Sequence, residues 1–259
     1  MSTFIHETAI VSAGAEIGEN CHVGPFCTLG PEVKLGSGVR LESHVVIDGK
    51  TSIGNETQVF PFVSIGLAPQ DLKYAGEPTA TEIGRRNHIR EFVTIHRGTE
   101  GGGGLTKIGD DNLLMAQAHV AHDCQIGSNV IMANAATLAG HVEIADRANI
   151  GAYSGVHQFC RVGLEAFVGG YSVVVKDAPP FAIIQGNHAK CYGLNKVGLK
   201  RKGYPKETIE KLHHAYHLLL TAKLNTTQAV ERIKEEITDC VEVDILVDFI
   251  ETSKRGIVK

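Results

Sequence analysis

Aliphatic residues recur at every sixth position along most of this chain, and that period decides what the backbone can build. The series runs from Ile17 through Val23, Leu29, Leu35, Leu41, Ile47, Ile53 and Val59 to Ile65, and it resumes in phase at Ile83, Ile89 and Ile95. After a slip of one residue it continues from Ile108 in steps of six to Val174. Glycine follows half of these 24 positions, and the fourth residue after each is usually small or β-branched, as at Cys21, Cys27, Val45, Ala118, Cys124, Ala136 and Cys160. A period of six fits neither an α-helix nor a simple strand. It fits a short strand plus a turn. Three such units close a triangular coil of about 18 residues, with one aliphatic pointing inward from each face and successive coils about 4.8 Å apart. Each buried aliphatic contributes about 1.5–3 kcal/mol against a large ordering entropy, so stability comes from stacking many coils.

The expected fold is therefore mainly β: a parallel β-helix over 1–190, with a C-terminal α-helical domain over 191–259. The period stops after Pro179 and Pro180, and amphipathic stretches follow near 205–222, 226–238 and 242–254, with Pro205 suited to a first helical turn. A solenoid exposes its end strands, and these helices are the expected cap. The spacing says nothing about handedness. A chain of 259 residues that is 43% hydrophobic can bury a substantial core. The first residues lack the basic and apolar stretches of a leader, and no run of about 18 apolar residues appears, so the chain is expected to be cytoplasmic with no integral membrane segment. Six dispersed cysteines without a CxxC pair read as reduced thiols, and those at the small inward position, Cys21, Cys27, Cys124 and Cys160, as core fillers. A net charge of -4 selects no partner.

The register predicts which distant residues are neighbours. With 66–82 and 98–107 thrown out as loops, Ile95, Val120, Leu138 and Val156 stack on one face, and both loops leave at the corner that ends it. His96, His122, His141 and His157 then line one edge in four successive coils, with Gly140 one coil beyond His122. A lone histidine is usually a satisfied surface or core residue; four in a column beside two loops indicate a functional site. Zinc held by imidazoles from neighbouring coils is the first rival use of such a column. No metal is expected, because the column is staggered and its members have other uses.

The first loop, Pro69-Gln-Asp-Leu-Lys-Tyr74, is rich in groups able to hydrogen-bond a hydroxylated ligand. The second, Arg97-Gly-Thr-Glu-Gly-Gly-Gly-Gly-Leu-Thr106, lacks P-loop spacing and reads as a flexible surface loop. Between 190 and 206 the chain carries Lys190, Lys196, Lys200, Arg201, Lys202 and Lys206 without an acidic residue. Such a run is usually a solvated face; beside the site it suits a diphosphate or an acidic protein. Nucleic acid is not expected, because the run is short and has little aromatic interleaving.

The segments Gln70-Asp-Leu-Lys-Tyr74, Thr94-Ile-His-Arg-Gly98, Leu113-Leu-Met115, His119-Val-Ala-His-Asp-Cys124, Ala139-Gly-His141, Val156-His-Gln-Phe-Cys160 and Gln185-Gly-Asn-His188 give the chain a more specific likeness. Over essentially its whole length it resembles the UDP-N-acetylglucosamine 3-O-acyltransferases, the first enzymes of lipid A biosynthesis. The resemblance implies a left-handed β-helix and a homotrimer with sites between subunits. It also implies transfer of a 3-hydroxyacyl group from acyl carrier protein to the sugar 3-hydroxyl. No cofactor is implied beyond the phosphopantetheine that carries the acyl donor.

A sugar hydroxyl needs a base during attack on a thioester, and by the resemblance His122 is that base, with Asp123 as its orienting partner. Gly140 would offer a backbone N–H to the oxyanion, where the repeat register independently places it. The resemblance sets Gln70, Asp71, Leu72, Lys73, His119 and His141 around the glucosamine and the reacting groups. It sets His96, His157 and Gln158 along the nucleotide or acyl side, and Asn195 and Arg201 at the UDP portion. Gly170 matches the family's acyl-chain ruler, and a glycine there implies a longer chain. The family's Asn-x-Glu-Gly stands here as Asn195-Lys-Val-Gly198, so Val197 replaces a carboxylate near the nucleotide. The rival readings are transfer to a 3-amino sugar nucleotide, the later N-acyltransferase, the zinc carbonic anhydrase of the same fold, and a non-catalytic scaffold. The N-acyltransferase normally carries an additional N-terminal domain, for which repeats starting by Ile17 leave no room.

Overall fold

The computed structural model describes residues 2–259 and shows a left-handed parallel β-helix followed by four helices. The chain winds through three parallel sheets in turn. The first has 11 strands and starts at Phe4–Ile5; the second has nine and starts at Ile10–Val11; the third has eight and starts at Glu16–Ile17. Most strands are only two residues long, an outward residue followed by the inward aliphatic. The aliphatics stack as the period requires, with Ile95 beside Val120, Val120 beside Leu138 and Leu138 beside Val156 in the second sheet. Most of the series from Val23 to Val174 is buried. The repeat also starts earlier than Ile17. Ile5 and Val11 continue it backwards by two steps, but on the end coil they lack a covering neighbour and stay partly exposed.

The cysteines at the small inward position are core fillers. Cys21, Cys27, Cys124 and Cys160 are buried and unpaired, and burial pushes the Cys124 thiol up to about 12.

The turns follow a rule that the aliphatic pattern does not reveal. The third residue after the inward aliphatic adopts a left-handed backbone at nearly every corner, whether it is Phe26, Glu56, Arg86, Asp123, His141 or Tyr171. A single left-handed residue is what lets the chain turn sharply, and here mostly non-glycine residues accept its steric cost. Their side chains project outward and stack between coils, so each corner carries a column of its own. Between the first and second sheets the column is aromatic: Phe26, His44, Phe62 and Phe92 stack in succession, with centroids 4.8–5.1 Å apart. Between the third and first sheets it is charged, as in Arg86–Asp111 and Arg147–Glu165.

The C-terminal end is closed in three ways. Phe181 is fully buried over the last coil, with Tyr204 edge-on to it. Strand Lys190–Leu194 pairs antiparallel with Ala182–Gln185, so position 190/191 lies inside a strand of the first sheet. Four helices then cover the end: α1 (Lys196–Arg201), α2 (Lys206–Leu220), α3 (Thr226–Glu236) and α4 (Val241–Glu251). Helices α2 to α4 match the three amphipathic stretches. Helix α1 does not appear in the periodicity because six residues are too few to show one. The Asn195 side chain caps α1 by accepting from Gly198 N–H at 3.0 Å. The tail returns to the solenoid, where Val258 N–H donates to the Asp177 carbonyl and Ser253 Oγ donates to its carboxylate. No helix among the described residues is long and apolar enough to cross a membrane.

Candidate active site

The corner between the second and third sheets differs from the other two because both insertions leave from it. Strand Ser64–Leu67 of the second sheet leads through the first loop to Ala80–Ile83 of the third, and Thr94–His96 leads through the glycine-rich loop to Leu105–Ile108. Above the loops this corner carries Asp123, His141 and Phe159 in the left-handed slot of three successive coils. The His141 and Phe159 rings stack 4.3 Å apart, and the His122 ring lies edge-on to His141 at 5.0 Å.

His122 and Asp123 form a fixed pair. The side chain of Asp123 is fully buried, and an ionised carboxylate only accepts, so His122 Nδ1–H donates to Asp123 Oδ2 over 2.7 Å. The other ring nitrogen, Nε2, is left with its lone pair. Asp123 also accepts from Thr99 N–H at 2.9 Å and from Thr99 Oγ–H at 2.6 Å, while its own N–H donates to Thr106 Oγ at 2.8 Å. Three donors on one buried carboxylate fix its position and orientation. Gly140 lies against the imidazole. A Cβ there would sit 2.5 Å from His122 Cε1 and 2.7 Å from Nε2, so the ring occupies space that only glycine leaves open. Among the described residues the Gly140 N–H makes no hydrogen bond.

A second pair of imidazoles lies behind the first. His119 Nδ1 shares a 2.6 Å hydrogen bond with Thr94 Oγ, and its ring meets that of His96 edge-on at 5.0 Å. Burial lowers His96 to about 4, with smaller contributions from His119 and His122. Burial, and then His122, also lowers His119. His141 is lowered mainly by burial, with Asp123 and Asp71 opposing and His122 adding to the effect. All three rings are neutral near pH 7 and act as hydrogen-bonding groups rather than cations.

A cavity of about 770 Å³ opens onto this corner, lined by Asp123, His141 and Phe159 on the solenoid and by Asp71 and Lys73 from the first loop. Asp71 braces its own loop by accepting from Lys73 N–H at 3.0 Å. The first loop is tied to the second as well, because Arg97 Nε donates to Tyr74 Oη at 2.9 Å. Thr99, Glu100 and Gly102 of the glycine-rich loop line the same cavity. That loop is therefore not the free surface segment its composition suggests. Gly102 sits where a Cβ would be 2.1 Å from Asp123 Cγ, so its glycines permit contact with a carboxylate.

The single chain gathers only part of the expected set. His122, Asp123, Gly140, His141, Asp71 and Lys73 share the corner, with His96 and His119 behind. Gln70 and Leu72 lie on the exposed tip of the first loop. His157 and Gln158 are exposed on the next coil, where His157 Nδ1 lies 3.2 Å from the Gln158 carbonyl. Gly170 belongs to the aromatic corner, and Asn195 and Arg201 to the helical end. Phe159 and Thr99 were absent from the expected set. Phe159 follows His141 by the same 18 residues that separate His141 from Asp123, a signal hidden by counting only histidines.

His122, Asp123 and His141 also present donor atoms within 4.8 Å of one another, a spacing a metal ion accepts. Asp123 Oδ2 already receives His122 Nδ1 and Thr99 Oγ, so binding a cation there would break the bonds that orient the imidazole.

The family model described as Udp N-acetylglucosamine O-acyltransferase, domain 2, matches residues 177–258, and bacterial transferase hexapeptide repeats match 14–49 and 105–140. Solved structures are similar along the whole chain. LpxA from Acinetobacter baumannii is 45% identical with a TM-score of 0.96, over 98% of this chain and 99% of that one. The UDP-N-acetylglucosamine acyltransferase LpxA from Bacteroides fragilis is 40% identical with a TM-score of 0.97, over 99% and 100%. The Arabidopsis UDP-N-acetylglucosamine acyltransferase is 34% identical with a TM-score of 0.88, over 99% and 100%.

Proposed function

The chain belongs to the UDP-N-acetylglucosamine acyltransferase family and catalyses the first step of lipid A biosynthesis, and from this premise we propose how its corner performs the transfer. The donor is a 3-hydroxyacyl thioester on the phosphopantetheine of acyl carrier protein. The acceptor is the 3-hydroxyl of UDP-N-acetylglucosamine. His122 Nε2 takes the hydroxyl proton as that oxygen attacks the thioester carbonyl, and the Gly140 N–H receives the developing oxyanion. Collapse breaks the C–S bond and forms the ester; the leaving thiolate recovers its proton from the His122 imidazolium. Asp123 holds the Nδ1–H tautomer throughout and stabilises the transient cation.

One observation carries this reading: a 2.7 Å bond from His122 Nδ1 to a buried carboxylate, with Gly140, whose N–H is unengaged, packed against the same ring. Asp71, Lys73 and His141 face the shared cavity and bind the sugar, with Gln70, Leu72 and His119 beside them. The remaining roles need a second subunit. His96 lies behind His122 in the same chain, whereas His157, Gln158, Gly170, Asn195 and Arg201 do not converge with it there, and a homotrimer brings them to it from a neighbour. The aromatic corner supports that assembly, because Phe26, Phe62, Phe92, Tyr153 and Tyr171 are each at least half exposed. The six free thiols support a reducing cytoplasm.

The test supplies 3-hydroxyacyl carrier proteins of several lengths with UDP-N-acetylglucosamine, and in parallel with its 3-amino analogue. Acylated UDP-N-acetylglucosamine is the expected product. Transfer to the amine alone would replace ester by amide, and no transfer with any donor would sink the proposal.

A further inference from the structure

The four consecutive glycines and Thr99 play no part in the chemistry above, yet they enclose its least exposed group. Thr99 supplies two of the three donors to the Asp123 carboxylate, one from each end of the residue. Gly98 and Gly102 sit where a Cβ would fall 2.9 Å from Asp123 Oδ1 and 2.1 Å from Oδ2. The loop is pinned at both ends by backbone bonds to the neighbouring strand, Gly98 N–H to the Ala80 carbonyl at 3.1 Å and Ala80 N–H to the Gly104 carbonyl at 2.8 Å. A carboxylate that orients a base must stay ionised and aligned while the imidazole gains and loses a proton. Its own edge supplies only the His122 hydrogen bond and the more distant His141, 3.8 Å from Oδ2. The other charged groups lining the same cavity are Asp71, Lys73, Glu77 and Glu100 from the two loops, Glu143, Arg161 and Asp177 from the solenoid, and Lys254 and Arg255 from the tail.

We propose that Thr99 is a positioning residue for acyl transfer: carried on the tetraglycine loop, it fixes the Asp123 carboxylate and thereby the tautomer and direction of the His122 imidazole. This rests on His122 being the base. Thr99 is buried and its hydroxyl is committed to the Asp123 carboxylate, so it acts through Asp123. Because Asp123 loses a donor when the hydroxyl is removed, its carboxylate becomes more basic and holds the His122 proton more strongly. The acid limb of the pH–rate profile then moves to higher pH.

The experiment measures kcat, the KM for UDP-N-acetylglucosamine, the pH–rate profile and the melting temperature of Thr99→Val, Thr99→Ser, Gly102→Ala and His122→Ala in the full chain. Thr99→Val should lower kcat by about 10- to 100-fold with KM within about threefold, as expected for a base displaced by an ångström or less. Its acid limb should shift upward, and Thr99→Ser, which retains the hydroxyl, should restore most of the rate. Gly102→Ala, which must push the loop off the carboxylate, should reproduce the kcat loss even if the valine variant folds poorly. A Thr99→Val enzyme with native kcat and an unshifted pH profile would overturn the proposal. A loss that serine fails to restore, accompanied by a lower melting temperature, would overturn it too. If His122→Ala itself keeps its activity, the base assignment falls; if His122→Ala is inactive and Thr99→Val is native, only the role of Thr99 falls.

Discussion

Two corners of the same solenoid turn the chain with the same backbone and have become different surfaces. At the corner between the first and second sheets, the left-handed slot holds Phe26, His44, Phe62 and Phe92, then Gln117 and Ala135, then Tyr153 and Tyr171. At the corner between the second and third, it holds Asp123, His141 and Phe159. Inside both, the aliphatic and small positions are buried alike. The core therefore specifies the coil and leaves the outward slot free. Chemistry arises where that freedom coincides with inserted loops, since only the second corner has partners within reach to bury a carboxylate and align an imidazole.

If the corners are specialised in this way, substitutions at the second should remove activity without unfolding. His122→Ala is expected to cut kcat by about 10³-fold while the melting temperature stays within a few degrees. Retained turnover would erase the distinction between the corners. Core positions should ignore it. Leu138→Ala, behind the reactive corner, and Leu114→Ala, just before the aromatic one, should each cost about 2–5 kcal/mol in denaturant unfolding. A large disparity between them would mean that the reactive corner is strained as well as specialised.

The second corner should also make stability depend on pH. His96 stays neutral in the folded chain down to about 4, whereas an unfolded histidine protonates near 6.5. Its contribution is therefore constant above about pH 6.5 and is lost as pH falls from there to about 4, at ~1.4 kcal/mol per unit. Unfolding curves of His96→Leu should lack this slope; an identical slope would assign it to other groups.

Gly140→Ala should follow the corner rule at close range, lowering kcat by about 10²-fold by displacing the His122 ring. Gly155→Ala, whose added Cβ meets nothing within 4 Å, should leave kcat within about twofold. The smallest effect is reserved for the aromatic corner. Phe62→Ala, which removes the stacks on His44 and Phe92, should cost under about 3 kcal/mol of stability in denaturant unfolding and leave kcat within about twofold. A kcat change as large as that of Gly140→Ala would bring the aromatic corner into the active site.

What the sequence reveals follows the same division. The inward positions are legible because burial allows few residue types, so the series from Ile17 to Val174 predicts strand, face and neighbour. The register even brings His122 to Gly140. The outward slot is not legible, since left-handed turns here accept Phe, Glu, Arg, His or Asp. Phe159 is therefore masked by neighbouring histidines that resemble ligands. Thr99 was obscured by the glycines around it, whose composition suggests mobility while their geometry allows contact. That Asn195 caps α1 is set by local backbone, which a family motif does not display. The residues expected from a neighbouring subunit have no signature in one chain.

The two insertions carry a further consequence. Ile65 pairs with Ile95 and Ile95 with Val120, sequence separations of 30 and 25 where uninterrupted coils use 18, and the third sheet still continues from Lys50–Ile53 through Ala80–Ile83 to Leu105–Ile108. The ladder keeps its count by hydrogen bonds rather than by chain length, so a corner can accept a dozen extra residues without shifting any coil above it. In such a chain, functional loops are modules. They can lengthen, shorten or be exchanged at one corner while the rest of the molecule stays in place.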